Sequence, residues 1–138
     1  MEERYLYRGK RINNGEWVEG FYFCMTHPDG RHTHHFIIPL GTDLSYGTPI
    51  EKIQVEVDSS TICQCTGLKD KNGKPIWEND IIKCGSTSVV IWDEHFASWC
   101  LTKKRWMFPH FFGEAQSPED CEVIGNKLDN PELLEVGE

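Results

Sequence analysis

Short runs of aromatic and β-branched residues, separated by turn signals, limit what this chain can fold into. Asn14-Gly15, Pro28-Asp29-Gly30 and Asn72-Gly73 lie between such runs, and Asn-Gly favours a tight hairpin because both residues tolerate a positive φ. Residues 17–24 and 88–92 have the composition of strands, whereas helical periodicity is scarce. Many short strands at close spacing predict a mainly β protein, built as a small barrel or roll.

One short helix is expected near the end of the chain. Asn130 suits the N-cap, Pro131 suits the first helical position, and Glu132 places an acid in the first turn. No linker rich in Gly, Ser or Pro divides the 138 residues. The loop-like tract 43–49 favours a boundary near residue 60, which would give two parts, residues 1–60 and 61–138. The alternative is one continuous unit.

The charge balance and the apolar content narrow the setting. The chain carries 14 Lys and Arg against 22 Asp and Glu, a net charge of −8. That balance argues against nonspecific binding of nucleic acid, because phosphate contacts need clustered Lys and Arg. No apolar run typical of a signal peptide follows the acidic start, and no apolar stretch approaches the ~18 residues of a membrane span. We therefore expect a cytoplasmic protein that contacts no membrane.

Six cysteines occur, and the expected reducing cytoplasm decides how they are interpreted. Free thiols in such a setting act as small apolar residues. Cys84 follows an apolar pair and Cys100 lies between Trp99 and Leu101, so both fit a core. We expect structural thiols, rather than disulfides or a zinc site, at Cys24, Cys63, Cys65, Cys84, Cys100 and Cys121.

The densest group of metal-ligand residue types surrounds one turn. Cys24, His27, His32 and His34 have the spacing C-x2-H-x4-H-x-H, and His35 follows directly. Zinc needs three or four such groups converging at about 2.0–2.3 Å, and this spacing is not a recurring zinc pattern. We favour a polar hairpin with exposed histidines and no cofactor. A metal-binding domain or metalloenzyme that uses this hairpin is the alternative.

Catalytic motifs are scarce in the sequence. It contains no G-x-S-x-G, no P-loop, no G-x-G-x-x-G and no H-E-x-x-H. Asp93-Glu94-His95 has the residue types of a catalytic triad, but adjacent side chains in a turn diverge. We therefore expect no enzyme and assign no catalytic residue.

Residues 103–108 combine positive charge with aromatic rings. Lys103, Lys104 and Arg105 are followed by Trp106 and Phe108. Such a stretch can bind nucleic acid or an acidic partner through phosphate attraction and stacking. It can equally be a strand end whose rings close one end of the core. We favour the structural interpretation because the net charge of −8 repels a polyanion.

Three parts of the chain together resemble one known family. Residues 66–82 have the sequence TGLKDKNGKPIWENDII, which closely resembles the signature T-G-L-x-D-K-N-G-x-x-I-(aromatic)-x-G-D-(I/V) of the YopX-like family of bacteriophage and prophage proteins. Asn79 stands where that signature has Gly, and Asn also tolerates a positive φ, so we expect the turn to be kept. Further stretches resemble the opening of the family, residues 7–11 and 15–20, and its closing motif, residues 123–126 and 130–134.

The resemblance implies a fold and an origin, but no reaction. It implies a small β-rich barrel whose C-terminal part is an SH3-type roll, and a phage or prophage accessory protein in the cytoplasm of a bacterial host. No catalytic residue is established in the family. The residues themselves agree, since Gly67 and Gly73 suit chain reversals and Asp70 and Asp80 suit polar turns. We therefore favour fold specification over an exposed binding loop at residues 69–74.

Three functional hypotheses remain. The first is a non-enzymatic binding or assembly module, which associates with itself or binds a phage or host protein. Sheet edges are often covered by partners, and 5 Trp, 4 Tyr and 7 Phe exceed what a core of this size needs. The second is a metal-dependent protein that uses the His hairpin. The third is nucleic-acid binding through residues 103–108.

Overall fold

The structure is a computed structural model that describes residues 3–43, 45, 47–104, 106–113 and 116–134. The described chain is built from strands and short 3₁₀ helices, and none of these helices is long and apolar enough to cross a membrane. The strands are β1 (Tyr7–Lys10), β2 (Trp17–Thr26), β3 (Thr33–Pro39), β4 (Val55–Glu56), β5 (Cys63–Lys69), β6 (Pro75–Trp77), β7 (Asp80–Cys84), β8 (Ser86–Asp93), β9 (Ser98–Thr102), β10 (His110–Phe111) and β11 (Glu122–Asn126). The 3₁₀ helices are Glu3–Tyr5, Ile50–Lys52, Ser59–Thr61, Pro118–Asp120 and Pro131–Leu134.

The prediction of a mainly β protein is confirmed, because the pairings form two antiparallel sheets. The chain divides into two compact units between Gln64 and Cys65. In the N-terminal unit the strand order is β4-β3-β2-β1, and the start of β5 pairs with β1. Val18 of β2, Ile37 of β3 and Val57, which follows β4, form the core of this unit.

The long β2–β3 hairpin requires a glycine at one position. Gly20 lies opposite Pro39 in the register. A Cβ added to Gly20 would lie 1.9 Å from the carbonyl oxygen of Ile38, which is far inside van der Waals contact. Only glycine at position 20 therefore lets the backbone of β3 approach β2 this closely.

In the C-terminal unit the five-stranded sheet has the order β10-β9-β8-β7-β11, and the remainder of β5 forms a hairpin with β6. Alternate residues of β7, β8 and β9 point to one side of the sheet. On that side, Ile82, Val90 and Leu101 form a buried core together with Ile76 of β6 and Cys121, which precedes β11.

Several details differ from the sequence-based expectations. Among the described residues, the first and last strands of each sheet do not pair with each other. The described pairings therefore close neither sheet into a barrel. The predicted terminal helix is a single 3₁₀ segment at Pro131–Leu134. Gly67 has a φ of +83° but lies within β5, where the register to β6 shifts. It therefore forms a bulge rather than the chain reversal that we expected.

The expectation of six free thiols is wrong, because Cys84 and Cys121 form a disulfide. The reason is the register of β7 against β11, in which Lys83 lies opposite Glu122. This register brings the adjacent residues Cys84 and Cys121 within 4.6 Å between Cα atoms, although 37 positions separate them in the chain. Cys63, Cys65 and Cys100 are buried free thiols as expected, whereas Cys24 is exposed.

Candidate functional site

The His-rich candidate ligands lie on the β2–β3 hairpin, where the register separates them. Cys24 is paired with His35, so these two side chains share one face of the sheet. His34 therefore points to the opposite face, where its Nδ1 lies 2.8 Å from Oε2 of Glu56. His27 lies beyond the end of β2, and its backbone N–H donates to the carbonyl oxygen of His32 at 2.7 Å.

The two histidines of the turn share one carboxylate. Nδ1 of His32 lies 3.1 Å from Oδ2 of Asp29, and Nδ1 of His27 lies 3.4 Å from Oδ1. The pKa of Asp29 is lowered chiefly by the backbone N–H of Arg31, and further by the two histidines. All of these side chains are exposed. The carboxylate therefore stabilises the turn through its contacts with both imidazoles.

The structure does not bring the four candidate ligands Cys24, His27, His32 and His34 together. In the part of the chain that the structure describes, no group of three or more His, Cys, Asp or Glu residues is placed to hold a metal ion.

The phenol of Tyr22, the imidazole of His35 and the thiol of Cys24 lie close together beside the core of the N-terminal unit. Oη of Tyr22 lies 2.7 Å from Nδ1 of His35. Burial raises the pKa of Tyr22, and the neighbouring Cys24 raises it further. The phenol therefore stays protonated at neutral pH and can donate to His35, which orients the ring. This arrangement positions the imidazole but supplies no cation that would activate the thiol.

A groove on the N-terminal unit has walls of mixed charge. Its volume is about 540 Å³, and both the basic Lys10 and Arg11 and the acidic Glu56 and Asp58 line it. The hydroxyl and the backbone N–H of Ser60 lower the pKa of Asp58, so this carboxylate caps the adjacent 3₁₀ helix. Because opposite charges line the same groove, it selects no sign of charge in a ligand.

The aspartate of the signature loop connects distant parts of the C-terminal unit. Oδ1 of Asp70 accepts the backbone N–H groups of Asn72 and Lys74, each at 2.9 Å. Oδ2 accepts the backbone N–H of Val123 at 3.0 Å. Burial alone would raise the pKa of Asp70, but these three hydrogen bonds and the charge of Lys74 outweigh it and lower the pKa. The carboxylate is therefore ionised, and both of its oxygens accept hydrogen bonds from the backbone.

The departure from the family signature at Asn79 keeps the turn, as predicted. Asn79 has a φ of +71°. Its backbone N–H donates to Val90 at 2.8 Å, and its carbonyl oxygen accepts from the N–H of Lys127 at 2.8 Å. Oδ2 of Asp80 accepts the N–H of Trp77 at 2.7 Å and closes the same turn. These contacts connect the turn to β6, to β8 and to the segment after β11.

The closing motif is also organised around the backbone. Oδ1 of Asn126 accepts the N–H groups of Leu128 and Asp129 at 3.0 and 2.8 Å. Oδ1 of Asn130 accepts the N–H of Asn126 at 3.2 Å. A Cβ added at Gly125 would lie 2.6 Å from that oxygen. The signature and the closing motif therefore specify turns and strand ends.

The basic and aromatic residues 103–108 divide between interior and surface. The side chain of Lys103 is buried, and its Nζ donates to Oγ of Ser86 and lies 5.0 Å from the ring centroid of Trp106. Trp106 stacks on His110 with the ring centroids 3.9 Å apart. Lys104 is exposed. Phe108 is exposed as well, and Arg105 lies outside the described residues.

Exposed apolar side chains lie on the outermost strand of the five-stranded sheet and in the segments beside it. Phe96 and Phe111 make an edge-to-face contact with centroids 5.2 Å apart, and Phe111 belongs to the outermost strand, β10. Met107 and Phe108 precede that strand and are 86% and 69% exposed. We call Phe96, Met107, Phe108 and Phe111 the aromatic edge. Phe96 was not singled out from the sequence, because it stood at the start of the strand predicted after the Asp93-Glu94 turn.

Comparisons with known proteins agree with the motifs and the fold. The model of a family described as YopX protein matches residues 6–135, which include the opening, signature and closing motifs. The crystal structure of protein EF1440 from Enterococcus faecalis is similar, with 25% sequence identity and a TM-score of 0.55. That similarity covers 93% of this chain and 96% of the other. No match was found among curated proteins.

Proposed function

Because the chain belongs to the YopX family, which confirms the resemblance, we propose that it is a non-enzymatic binding module of a phage or prophage. In this proposal the module assembles with a second copy of itself through the aromatic edge. The observation that carries it is the contact of the exposed Phe96 and Phe111 at one sheet edge, with the exposed Met107 and Phe108 in the segment before β10. Apolar surface gathered in one place is typical of an interaction site.

The edge suits contact with another protein for two reasons. Among the described residues no named strand pairs with the outer side of β10, and a sheet edge can add a further strand. The bridge between Phe112 and Gln116 lies directly after this strand. Aromatic and methionine side chains are enriched at protein interfaces, and edge-to-face pairs such as Phe96–Phe111 add to the apolar burial. A strand of another chain placed beside β10 would form hydrogen bonds with its backbone, and the side chains of the aromatic edge would cover that strand.

A second copy is the partner that this uncharged surface admits. Each copy carries a net charge of −8, so two copies repel each other over most of their surfaces. The aromatic edge contains no ionisable side chain among its four residues, so it is a surface where two copies can approach. Two antiparallel β10 strands would form a two-fold interface in which each patch contacts its counterpart.

The roles of the motif residues support a module without catalysis. Asp70, Asn79 and Asn126 use their polar groups on backbone atoms of the C-terminal unit. The contacts of each residue stabilise the fold, and this explains its place in the family signature or in the closing motif. No residue of the chain is assigned a catalytic role.

The remaining expectations belong to the same proposal. The resemblance supports a phage or prophage origin and a place in the cytoplasm of a bacterial host. The five antiparallel strands of the C-terminal unit support the SH3-type roll that the resemblance implies. The Cys84–Cys121 disulfide is unusual for a reducing compartment, so its state in the cell bears on the location.

Light scattering coupled to size exclusion tests the proposal. The expected mass of the wild type is near twice 16.0 kDa and falls to that of one chain in the double variant Phe96→Ser/Phe111→Asp. Tyr5, which is exposed on the N-terminal unit, gives the matched control Tyr5→Ser, and this variant should keep the mass of the wild type. A wild type that stays monomeric at high concentration would overturn the proposal. An assembly that survives the double variant would overturn the assigned surface.

A further inference from the structure

One lysine of the C-terminal unit is buried without an acidic partner. Lys103 is 8% exposed and is the one buried Lys or Arg side chain in the described residues. Its Nζ donates to the hydroxyl of Ser86 and lies 5.0 Å from the ring centroid of Trp106, and no described carboxylate forms an ion pair with it. A buried charge whose partners are all neutral is costly. An anion formed beside this ammonium group would therefore be stabilised.

Both contacts of the ammonium group adjoin the Cys84–Cys121 disulfide. Ser86 is directly opposite Cys84 in the register of β8 against β7, so these two side chains are on the same face of the sheet. Trp106 and Cys84 both pack against the hydrophobic core of the unit, to which Cys121 belongs. The buried ammonium group and the disulfide therefore lie on the same side of the five-stranded sheet.

The charged residues next to the two cysteines in the sequence make contacts elsewhere. Lys83 and Glu122 are directly opposite each other and, by strand alternation, lie on the other face of the sheet. Glu119 and Asp120 precede Cys121 and are exposed, and the carboxylate of Glu119 accepts a hydrogen bond from the hydroxyl of Ser117. Among the described residues, Lys103 is therefore the cation on the side of the disulfide.

The two sulfur atoms differ in access. Cys84 is half-buried, whereas Cys121 is fully buried, so an external thiolate can reach Sγ of Cys84. Sγ of Cys121 lies 3.3 Å from the carbonyl oxygen of Ser117, so the thiol formed there on reduction has a hydrogen-bond acceptor in place. The β7–β11 pairing and the contact of Asp70 with Val123 do not involve sulfur. Reduction therefore leaves these contacts available to the fold.

We propose that Cys84 and Cys121 form a redox-active pair whose reduced state Lys103 stabilises. One thiolate of a dithiol reductant attacks Sγ of Cys84 and breaks the S–S bond, and Cys121 leaves with the electron pair and takes up a proton. The second thiolate of the reductant then attacks the reductant's own sulfur in the mixed disulfide and releases Cys84 as a thiolate.

The two electrons and the protons of this exchange come from the dithiol, which becomes a cyclic disulfide. One of its protons goes to Cys121 and the other goes to solvent, so Cys84 keeps its negative charge beside the ammonium group of Lys103. A neighbouring lysine favours a thiolate over a thiol. Lys103 therefore makes the disulfide easier to reduce.

Equilibration at pH 8 with mixtures of reduced and oxidised dithiothreitol, followed by acid quenching and peptide mass spectrometry, tests the pair. The wild type should become reduced while circular dichroism shows that it stays folded. Lys103→Met should need a ratio of reduced to oxidised dithiothreitol at least about tenfold higher for half reduction, because the charge-assisted stabilisation of the thiolate is lost. The matched control Lys104→Met, which removes an exposed charge at the next position, should shift that ratio by less than about twofold.

A second measurement on the wild type decides the question if Lys103→Met does not fold. Iodoacetamide reacts with thiolates, so alkylation of Cys84 in the folded, reduced protein should reach its maximum rate at a lower pH than alkylation of the same residue in urea. Peptide mass spectrometry distinguishes Cys84 from the other cysteines. Phe111→Asp should give the dithiothreitol ratio of the wild type, so this proposal and the assembly proposal can fail separately.

Three results would overturn the inference. One is reduction that occurs only together with unfolding, which would make the disulfide a structural bond alone. Another is an equal dithiothreitol ratio at half reduction in the wild type and in folded Lys103→Met. The third is a pH profile for alkylation of Cys84 that is the same in the folded protein and in urea.

Discussion

Oδ2 of Asp70 accepts the backbone N–H of Val123 at 3.0 Å, although 53 residues separate the two. The carboxylate thereby joins the signature loop to the last strand, β11. Beside this contact, the N–H of Lys71 donates to the carbonyl oxygen of Cys121 at 2.9 Å. The most characteristic stretch of the sequence is thus fixed to the closing part of the chain, which is why we assign it to the fold.

Replacing Asp70 should destabilise the C-terminal unit strongly. Both carboxylate oxygens accept N–H groups, and the amide of Asp70→Asn offers only one acceptor and places a donor against another donor. We expect the free energy of unfolding to fall by about 2–4 kcal/mol in urea denaturation. Glu51→Gln, an exposed change in the N-terminal unit, is the control and should change it by less than about 0.5 kcal/mol. A value for Asp70→Asn within the range of that control would contradict the assigned role.

The lowered pKa of Asp70 gives this contribution a pH dependence with a definite sign. A carboxyl group whose pKa is lower in the folded state stabilises the protein above its unfolded pKa of about 3.9. The contribution is lost as the pH falls through the lower folded value. The difference in unfolding free energy between wild type and Asp70→Asn should therefore be constant near neutral pH and narrow below about pH 4. Denaturation at a series of pH values measures it, and a difference that widens on acidification would refute the assignment.

The Cys84–Cys121 disulfide should contribute substantially to stability. The chain-entropy relation gives about 4 kcal/mol for a disulfide across 37 positions. The double variant Cys84→Ser/Cys121→Ser should lose about that amount, and a reducing agent should bring the wild type to a similar value. Cys24→Ser removes an exposed free thiol and should have no such effect. Equal stability of oxidised wild type and double variant would show that the bond does not form.

Asn79 should tolerate glycine and reject a β-branched residue. Its φ of +71° is a left-handed conformation that costs ordinary residues about 1–2 kcal/mol. Asn79→Gly should therefore stay within about 1 kcal/mol of the wild type, whereas Asn79→Val should lose about 2 kcal/mol or more. Thermal denaturation of the two variants compares them directly. Equal losses in both would place the importance of Asn79 in its side chain rather than in its backbone conformation.

Local turn chemistry made much of the fold predictable. The Asn72-Gly73 turn, the left-handed Asn79 and the end of β3 at Pro39 follow from backbone preferences of single residues. The disulfide did not follow, because it depends on the register of β7 against β11. Gly67 was assigned to a reversal because a glycine signals a positive φ and does not distinguish a turn from a bulge.

The candidate sites depend on tertiary contacts, so the sequence predicted them less completely than it predicted the turns. The sequence singled out residues 103–108, and within that stretch Lys103 and Trp106 lie together. Lys127 lies beside residues of β8 and β9 only because the chain after β11 returns beside these strands. Sequence spacing contains no trace of that return. The His cluster shows the converse, since residues close in sequence are separated by strand alternation and by the turn.

Hydrogen exchange at the outermost strand, measured against protein concentration, tests the proposed assembly most directly. The backbone amide of Phe111 should become more protected as the concentration rises, because its N–H points away from β9 and a second β10 strand would cover it. The same amide in Phe111→Asp should exchange at a rate independent of concentration. Wild-type exchange at this amide that is equally fast at micromolar and millimolar concentration would contradict assembly through the aromatic edge.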